Sequence, residues 1–466
     1  MPLSSFADAM AADVAAGTLA DGIIGKGVTL VGPGGPVPLV YADYVASGRA
    51  LRQVEGFVAE HVLPFYANSH TEASFCGAYT TKLREAARAV IARLTGAGDG
   101  DAVIFAGSGA TAGLNRLVTL LGVNAAARPV VLIGPYEHHS NILPWRESRA
   151  LVEEIPEGPA GGPDLEALRA ALIRHRDSDL VIGAFSAASN VSGIVTDTEA
   201  VTRMLKAHGA RAVWDFAGGG PYLPIDMGVG TDARKDAVVV SAHKFLGGPG
   251  ASGVLVVNRD AVRAGRPTWP GGGTVAFVSP WAHDYSAELV EREEAGTPNV
   301  IGDIRAALAF LVKDAVGTDR IAHTEARWNR IALDGWGGNP RLQLLGTGHG
   351  HRLPIYSFVV RDEAGAEVDP QLFARVLSDR YGIQVRGGCA CAGPYGHRLL
   401  GIGAAESERL RGDLVSGRSD RKPGWVRLNF SYAMDEATVL YIVGAVNELS
   451  QRIGNPAWMH GDGQAA

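Results

Sequence analysis

Between about residue 100 and residue 260 the hydrophobic pattern repeats one rhythm. A short run of consecutive apolar, mostly β-branched residues is followed by a glycine or polar turn, then by a stretch with apolar residues three and four apart. The runs predict strands over Ala102–Ala106, Pro129–Ile133, Leu180–Phe185, Arg211–Trp214, Ala237–Val240 and Ser252–Val257. The stretches predict helices over Leu114–Leu121, Asp164–His175, with Asp164 as N-cap, and Thr198–His208. Strands that are apolar throughout imply burial on both faces. Helices between them imply parallel neighbours, hence an α/β layer architecture with a mostly parallel sheet. Ligands of such sheets sit beyond the C-terminal ends of the strands.

The rhythm breaks at the Gly/Pro-rich piece Gly265–Gly273, and the chain onward to Asn299 reads as mostly irregular. A helix over Ile304–Val316 then leads into wider-spaced strands at Arg352–Val360, Ile383–Arg386 and Trp425–Asn429, and a final helix over Glu436–Arg452. This is the pattern of a smaller α+β domain. The expected division is an N-terminal segment, 1–60, packing on the small domain, a large domain over 61–300, and a small C-terminal domain over 301–466. A polar, charged insert near 403–424 reads as an exposed excursion.

Composition narrows the function. The 43 basic and 49 acidic side chains leave a net charge of −6, so no global positive field gathers nucleic acid or anionic lipid. Three cysteines, Cys76, Cys389 and Cys391, are too few for a disulfide framework and suit a reducing compartment. The N-terminus has no basic region leading into an apolar run, and no apolar stretch reaches the roughly 18 residues of a spanning helix. A cytoplasmic protein is expected. The 61 glycines are about twice the usual share of roughly 7% and imply many backbone turns.

The candidate chemistry gathers at predicted strand ends. Gly107-Ser108-Gly109-Ala110-Thr111-Ala112-Gly113 follows a strand and opens a helix, which makes an anion site from backbone N–H groups and the helix dipole. A ligand-free tight turn fits it equally well. Ala112 stands where a dinucleotide fingerprint needs its third glycine, and no nucleoside triphosphate loop occurs. Trp214-Asp215 ends one strand and Ser241-Ala242-His243-Lys244 ends the next. A phosphate cradle, a strand-end carboxylate and a strand-end lysine are together what pyridoxal phosphate requires: an anion site, a partner for the pyridinium nitrogen and a Schiff-base amine.

These residues resemble the class V aminotransferase branch of the fold-type I pyridoxal phosphate (PLP) enzymes, nearest to the cysteine desulfurase and selenocysteine lyase group. The matching motifs run through nearly the whole chain: Asn68-Ser69-His70, Gly109-Ala110-Thr111, Glu137 to Trp145, Ser189 to Gly193, Trp214 to Ala217, Ser241 to Lys244, Ala295 to Asn299, Val385 to Ala392 and Val426 to Asn429. The resemblance implies a PLP-dependent transferase fold, with the large domain binding the cofactor.

It also implies roles. Lys244 would form the Schiff base, Asp215 would pair with the pyridine nitrogen, and His138 would stack on the ring and serve in proton transfer. Ala110, Thr111, Ser241 and His243 would bind the cofactor at its phosphate, joined by Thr297 from the second subunit of a homodimer. Asn190 would contact the ring oxygen and Arg427 would clamp the substrate carboxylate. Asn68 and His70 are substrate-binding candidates or turn formers. Cys391, in a Gly-rich loop with Arg386 nearby, takes the place of the desulfurase nucleophile.

The bland alternatives are a solvated Lys244, a helix cap for Asp215, a core histidine at 138, a surface ion pair for Arg427 and a small buried hydrophobe at Cys391. Cys389 is the rival thiol, a disulfide or persulfide partner, or without a role. A zinc site of Cys389, Cys391 and His397 lacks a four-ligand set, so no metal is expected.

The implied reaction takes L-cysteine or selenocysteine to alanine and a cysteine persulfide, with a sulfur-acceptor protein as a further partner. The alternatives are an aminotransferase, lyase or epimerase of another amino acid without persulfide chemistry, and a non-enzymatic binding protein of the same fold. The chain departs from the family in three places. Gly218 stands where the family has a glutamine after the pyridinium Asp, Thr71 where many relatives have arginine, and the Cys391 to Arg427 connection is longer, its charged insert free to cover the site or dock a sulfur acceptor.

Overall fold

The computed structural model describes residues 2–68, 72–348, 350–418 and 423–453. His70, Ser69, Thr71 and part of the 403–424 insert lie outside the described residues. The chain divides into two compact units, one built from 1–22, 47–187 and 196–318, the other from 23–46, 188–195 and 319–466.

The first unit is organised by a seven-stranded sheet. Its strands are β1 (Asp101–Gly107), β2 (Pro129–Ile133), β3 (Leu151–Glu154), β4 (Leu180–Ser186), β5 (Arg211–Asp215), β6 (Ala237–Ser241) and β7 (Gly253–Asn258), in the order β1-β7-β6-β5-β4-β2-β3. β7 alone runs antiparallel to its neighbours β1 and β6; the other pairings are parallel. Every residue of β2 and of β6 is buried, which is why these strands carry no polar alternation.

Helix α1 (Gly109–Leu120) follows β1 directly and lies against β6 and β7. Two glycines permit that approach. A Cβ on Gly113 would lie 2.8 Å from Val239 Cγ1, and one on Gly253 would lie 2.4 Å from the Gly109 carbonyl oxygen. The helices Leu165–Arg174 and Thr198–Ala207 are capped by Asp164 and Asp197, whose carboxylates accept from first-turn N–H groups.

The helix Pro2–Ala16 packs on Val300–Val316, and Phe6 meets Phe57 edge to face at 5.5 Å. The 1–60 segment is therefore divided: its first helix belongs to the large unit, because Leu3, Phe6 and Met10 bury there, and Ile23–Ala46 belongs to the small one. Helix Val300–Val316 also belongs to the large unit. The stretch read as irregular contains an antiparallel hairpin, Val275–Val278 with His283–Tyr285, and a short helix, Leu289–Glu293.

The second unit holds a four-stranded antiparallel sheet of β8 (Leu342–Leu344), β9 (Ile355–Val360), β10 (Arg386–Gly388) and β11 (Trp425–Asn429), ordered β8-β9-β11-β10. Ile383–Gln384 pairs in parallel with Val40–Tyr41. Helices Pro370–Tyr381 and Glu436–Arg452 join a core centred on Trp336, Tyr356, Phe358 and Phe430. The described part of the charged insert forms the helix Ala404–Val415, which buries no residue. No helix among the described residues is long and apolar enough to cross a membrane.

Candidate active site

In the first unit the candidate residues collect where β1, β5 and β6 end. β5 delivers Asp215 and β6 delivers Ser241, followed by the tight turn Ala242–Lys244. Asp215 is 2% exposed and its Oδ1 accepts the Ala217 N–H at 2.7 Å. Burial pushes its pKa up, while the hydrogen bond and the Lys244 charge pull it down. A cation beyond the strand end would therefore be stabilised here, as a protonated pyridine nitrogen requires.

The anion cradle is also formed. Gly107 and Gly109 have φ of +83° and +62°, and the Ala110 N–H, at the start of α1, donates to Ser241 Oγ at 3.0 Å. A Cβ on Gly109 would lie 2.9 Å from that Oγ and 3.0 Å from His243 Cε1, so only glycine leaves the space between them open. Burial and the neighbouring Lys244 both lower the His243 pKa. Thr111 is exposed, and its hydroxyl lies 2.7 Å from Ser140 Oγ, which in turn lies 3.0 Å from His138 Nδ1. The Ser140 N–H also donates to His138 Nδ1 at 3.1 Å, so this nitrogen serves as an acceptor and the half-buried ring is fixed. These donors and the buried carboxylate fit the phosphate and ring nitrogen of PLP.

Behind His138 lies a carboxylate that sequence reading placed in a motif but gave no task. Glu137 is 2% exposed, and accepts from Ser186 N at 2.8 Å, Ser186 Oγ at 2.5 Å and Asn141 Nδ2 at 2.6 Å. Burial, helped by the charge of Asp215, still raises its pKa to about 7 against these three bonds.

Thr297 is exposed and lines a cavity of about 500 Å³ together with Gly107, Ser108 and Ala112 of the same chain. Asn68 is exposed. Gly220 has a packing reason, since a Cβ there would lie 2.6 Å from the Phe216 carbonyl oxygen.

The second unit gathers Asn190, Arg427, Arg386 and the two thiols. Arg427, 3% exposed, donates from Nη2 to Asp43 Oδ1 at 2.9 Å and from Nη1 to the Asn190 carbonyl at 3.2 Å, while its buried Nε has no partner. Arg386 donates to the other Asp43 oxygen at 3.1 Å. The two arginines are direct cross-strand partners on β10 and β11, a repulsive pairing that Asp43 neutralises. Arg427 is thus a buried ion pair rather than a surface one. Asp43 carried no motif, and its partners lie more than 300 positions away in the chain.

The Gly-rich loop after β10 closes a four-residue turn, with Ala392 N–H donating to the Cys389 carbonyl at 3.3 Å. Its two central residues, Ala390 and Cys391, have φ of +49° and +55° and are the only non-glycine residues of positive φ among those described. Each costs about 1–2 kcal/mol relative to a right-handed conformation. The buried Asn190 holds the turn by donating from Nδ2 to the Ala390 carbonyl at 2.9 Å. Cys391 is exposed and Cys389 half-buried, so neither is a packed core thiol. Both His397 nitrogens are engaged, Nδ1 with the Gly393 carbonyl at 2.8 Å and Nε2 with Ser407 Oγ at 3.0 Å. No group of metal-binding side chains occurs among the described residues.

The model of the family described as "Aminotransferase class-V" matches residues 40–439. A cysteine desulfurase of Klebsiella pneumoniae is 32% identical over 363 residues, covering 77% of this chain and 85% of the relative. A cysteine desulfurase of Salmonella agona is 31% identical over 364 residues with the same coverage. Among solved structures, the apo cysteine desulfurase of Thermococcus onnurineus NA1 superposes with a TM-score of 0.72 at 24% identity, covering 88% of this chain and 94% of that one. The cysteine desulfurase CsdA of Escherichia coli, solved as its S-sulfonic acid, gives 0.68 at 23% identity with the same coverage. The fold is that of these structures, and the chain belongs to the class V aminotransferase family. It is a PLP-dependent enzyme of that family.

Proposed function

We propose that this enzyme acts as a cysteine desulfurase, converting L-cysteine or selenocysteine to alanine and leaving the chalcogen on Cys391 as a persulfide or its selenium analogue. The observation that carries the reading is Cys391 itself, an exposed thiol on a Gly-rich turn at positive φ, in a chain 32% identical to a cysteine desulfurase.

Bound PLP supplies an electron sink for a carbanion at the amino acid α-carbon. The Ala110 N–H, Thr111, Ser241 and His243 would hold its phosphate, and the Asp215 carboxylate would face its ring nitrogen. Lys244 would hold the cofactor through its amine and is the group to move the proton at the substrate α-carbon. His138, its ring fixed by Ser140, would lie against the cofactor and assist that proton transfer. Asn190 serves the ring oxygen as well as the Ala390 turn, and Asn68 and His70 contribute to substrate binding. Arg427, oriented by Asp43 and the Asn190 carbonyl, would bind the substrate carboxylate. The Cys391 thiolate bonds to the substrate sulfur as the Cβ–S bond breaks, so that cysteine plus thiol becomes alanine plus persulfide.

Thr297, exposed in the single chain, supports a homodimer in which it reaches a second subunit's phosphate. The three free thiols suit the cytoplasm, and a sulfur-acceptor protein would receive the persulfide. A second reading, a class V enzyme acting on another amino acid without persulfide chemistry, is favoured by one observation: Asp43 already occupies one face of Arg427.

The test incubates the holoenzyme with cysteine and a thiol reductant and measures alanine and sulfide. Cys391→Ser is expected to lower both by at least about 10²-fold while the cofactor's visible absorbance persists. Unchanged turnover in that variant overturns the role of Cys391, and keto acid formation or α-proton exchange with no sulfide from cysteine selects the second reading.

A further inference from the structure

One persulfide needs one thiol, yet the loop holds two. Cys389 and Cys391 occupy the first and third positions of a turn whose central residues both have positive φ, the type I′ geometry. In an extended Cys-x-Cys the Cα atoms would stand about 7 Å apart, at the outer limit for a disulfide. A helical step, of either hand, shortens that separation to about 5.4 Å but turns the two Cβ atoms apart, so the disulfide it allows is strained and readily reduced. The turn is held from within, by Asn190 on the Ala390 carbonyl, by burial of Ala390 and Ala392, and by the Gly396 N–H on the Ala392 carbonyl at 2.8 Å. The backbone is fixed while both thiols stay accessible.

We infer that Cys389 is a resolving thiol, which attacks the persulfide on Cys391 and releases its outer sulfur as hydrosulfide, leaving a Cys389–Cys391 disulfide. This rests on the proposed persulfide chemistry of Cys391. The Cys389 thiolate bonds to Cys391 Sγ and the bond from that Sγ to the outer sulfur breaks. The outer sulfur departs with the electron pair and is reduced to the sulfide level, Cys389 Sγ is oxidised from thiolate to disulfide, and Cys391 Sγ keeps its oxidation level. The persulfide is itself the oxidant, and the Cys389 proton appears on the released sulfide. Turnover then takes two electrons and two protons from a dithiol reductant. The chain would then deliver free sulfide, consumed by a reaction that takes inorganic sulfide, in place of handing the Cys391 persulfide to an acceptor protein, and would idle whenever dithiol is scarce because Cys391 is then tied.

The experiment mixes the anaerobic holoenzyme with L-cysteine and no reductant, alkylates, and weighs the peptide bearing both cysteines. The parent chain is expected to give equal amounts of alanine and sulfide in its first turnover, with a peptide two hydrogens lighter and closed to alkylation; dithiothreitol restores turnover. Cys389→Ser is expected to stall with the peptide one sulfur heavier and the sulfide-to-alanine ratio at least tenfold lower. A parent chain that keeps the extra sulfur with both cysteines undisulfided, or a Cys389→Ser chain with the parent's ratio, overturns the inference.

A second arm treats the Lys244→Ala chain, with and without Cys389→Ser, with sodium polysulfide. Collapse to the disulfide only where Cys389 is present supports the resolving role without any turnover, and absence of collapse overturns it. A parent that makes no alanine from cysteine but collapses under polysulfide refutes the desulfurase reading and leaves the thiol pair's chemistry standing.

Discussion

The candidate residues of the two units are held on opposite physical plans. In the first unit, Asp215, Ser241 and the start of α1 are fixed by a sheet buried on both faces, and the chemistry lies in buried charge. In the second unit the thiols ride on a strained turn at the surface, and the chemistry lies in exposure and conformation. A cofactor that must be held in one pose suits the first plan. A sulfur that must be taken up and given away suits the second, because the thiols stay accessible while the turn beneath them is held in place.

The contrast can be broken most forcefully at Lys244. Lys244→Ala should abolish covalent cofactor attachment and lower turnover by at least about 10²–10⁴-fold, the usual contribution of proton transfer alone. Spectra and alanine formation measure both. If turnover persists, the buried residues of the first unit are not the catalytic ones.

Asp43→Ala tests whether the second unit also depends on buried charge at its base. It leaves Arg427 buried and unpaired opposite Arg386, which should destabilise the fold by about 3–5 kcal/mol, read as a lower denaturant midpoint. No shift would mean that water reaches Arg427.

Glu137 sharpens the picture of the first unit through pH. Folding raises its pKa from 4.5 to about 7, so the unfolded chain loses this proton first. Its stabilisation, full below about pH 4.5, is lost as pH rises to about 7, by up to ~3 kcal/mol. Denaturant midpoints across that window should therefore fall with pH from this group, and Glu137→Gln should remove that slope. The smallest effect belongs to the turn: Ala390→Gly relieves one left-handed residue and should stabilise by no more than about 1 kcal/mol, net of the greater freedom glycine has when unfolded. A thermal scan with the cofactor bound measures it.

The central sheet was legible because its strands are apolar end to end, and Asp215, Ser241 and Lys244 sat at the ends that such a pattern predicts. β3 escaped notice because it is a short edge strand carrying Glu153 and Glu154, only partly buried. The hairpin Val275–Val278 with His283–Tyr285 escaped because Phe277 and Val278 are exposed, so its apolar positions mark no core. Asp43 could not be read at all: its partners are set by tertiary pairing, not spacing. The left-handed turn was hidden because alanine and cysteine give no sign of that conformation.

The division of the chain between its units has a consequence for how the protein is made. Val40 and Tyr41 leave the ribosome 343 residues before their strand partners Ile383 and Gln384. At the usual ~5–20 residues per second, that segment waits roughly 20–70 s for its mate. Throughout that interval the nascent enzyme carries an unmatched strand, and the second unit is completed only after the helix Glu436–Arg452 leaves the ribosome.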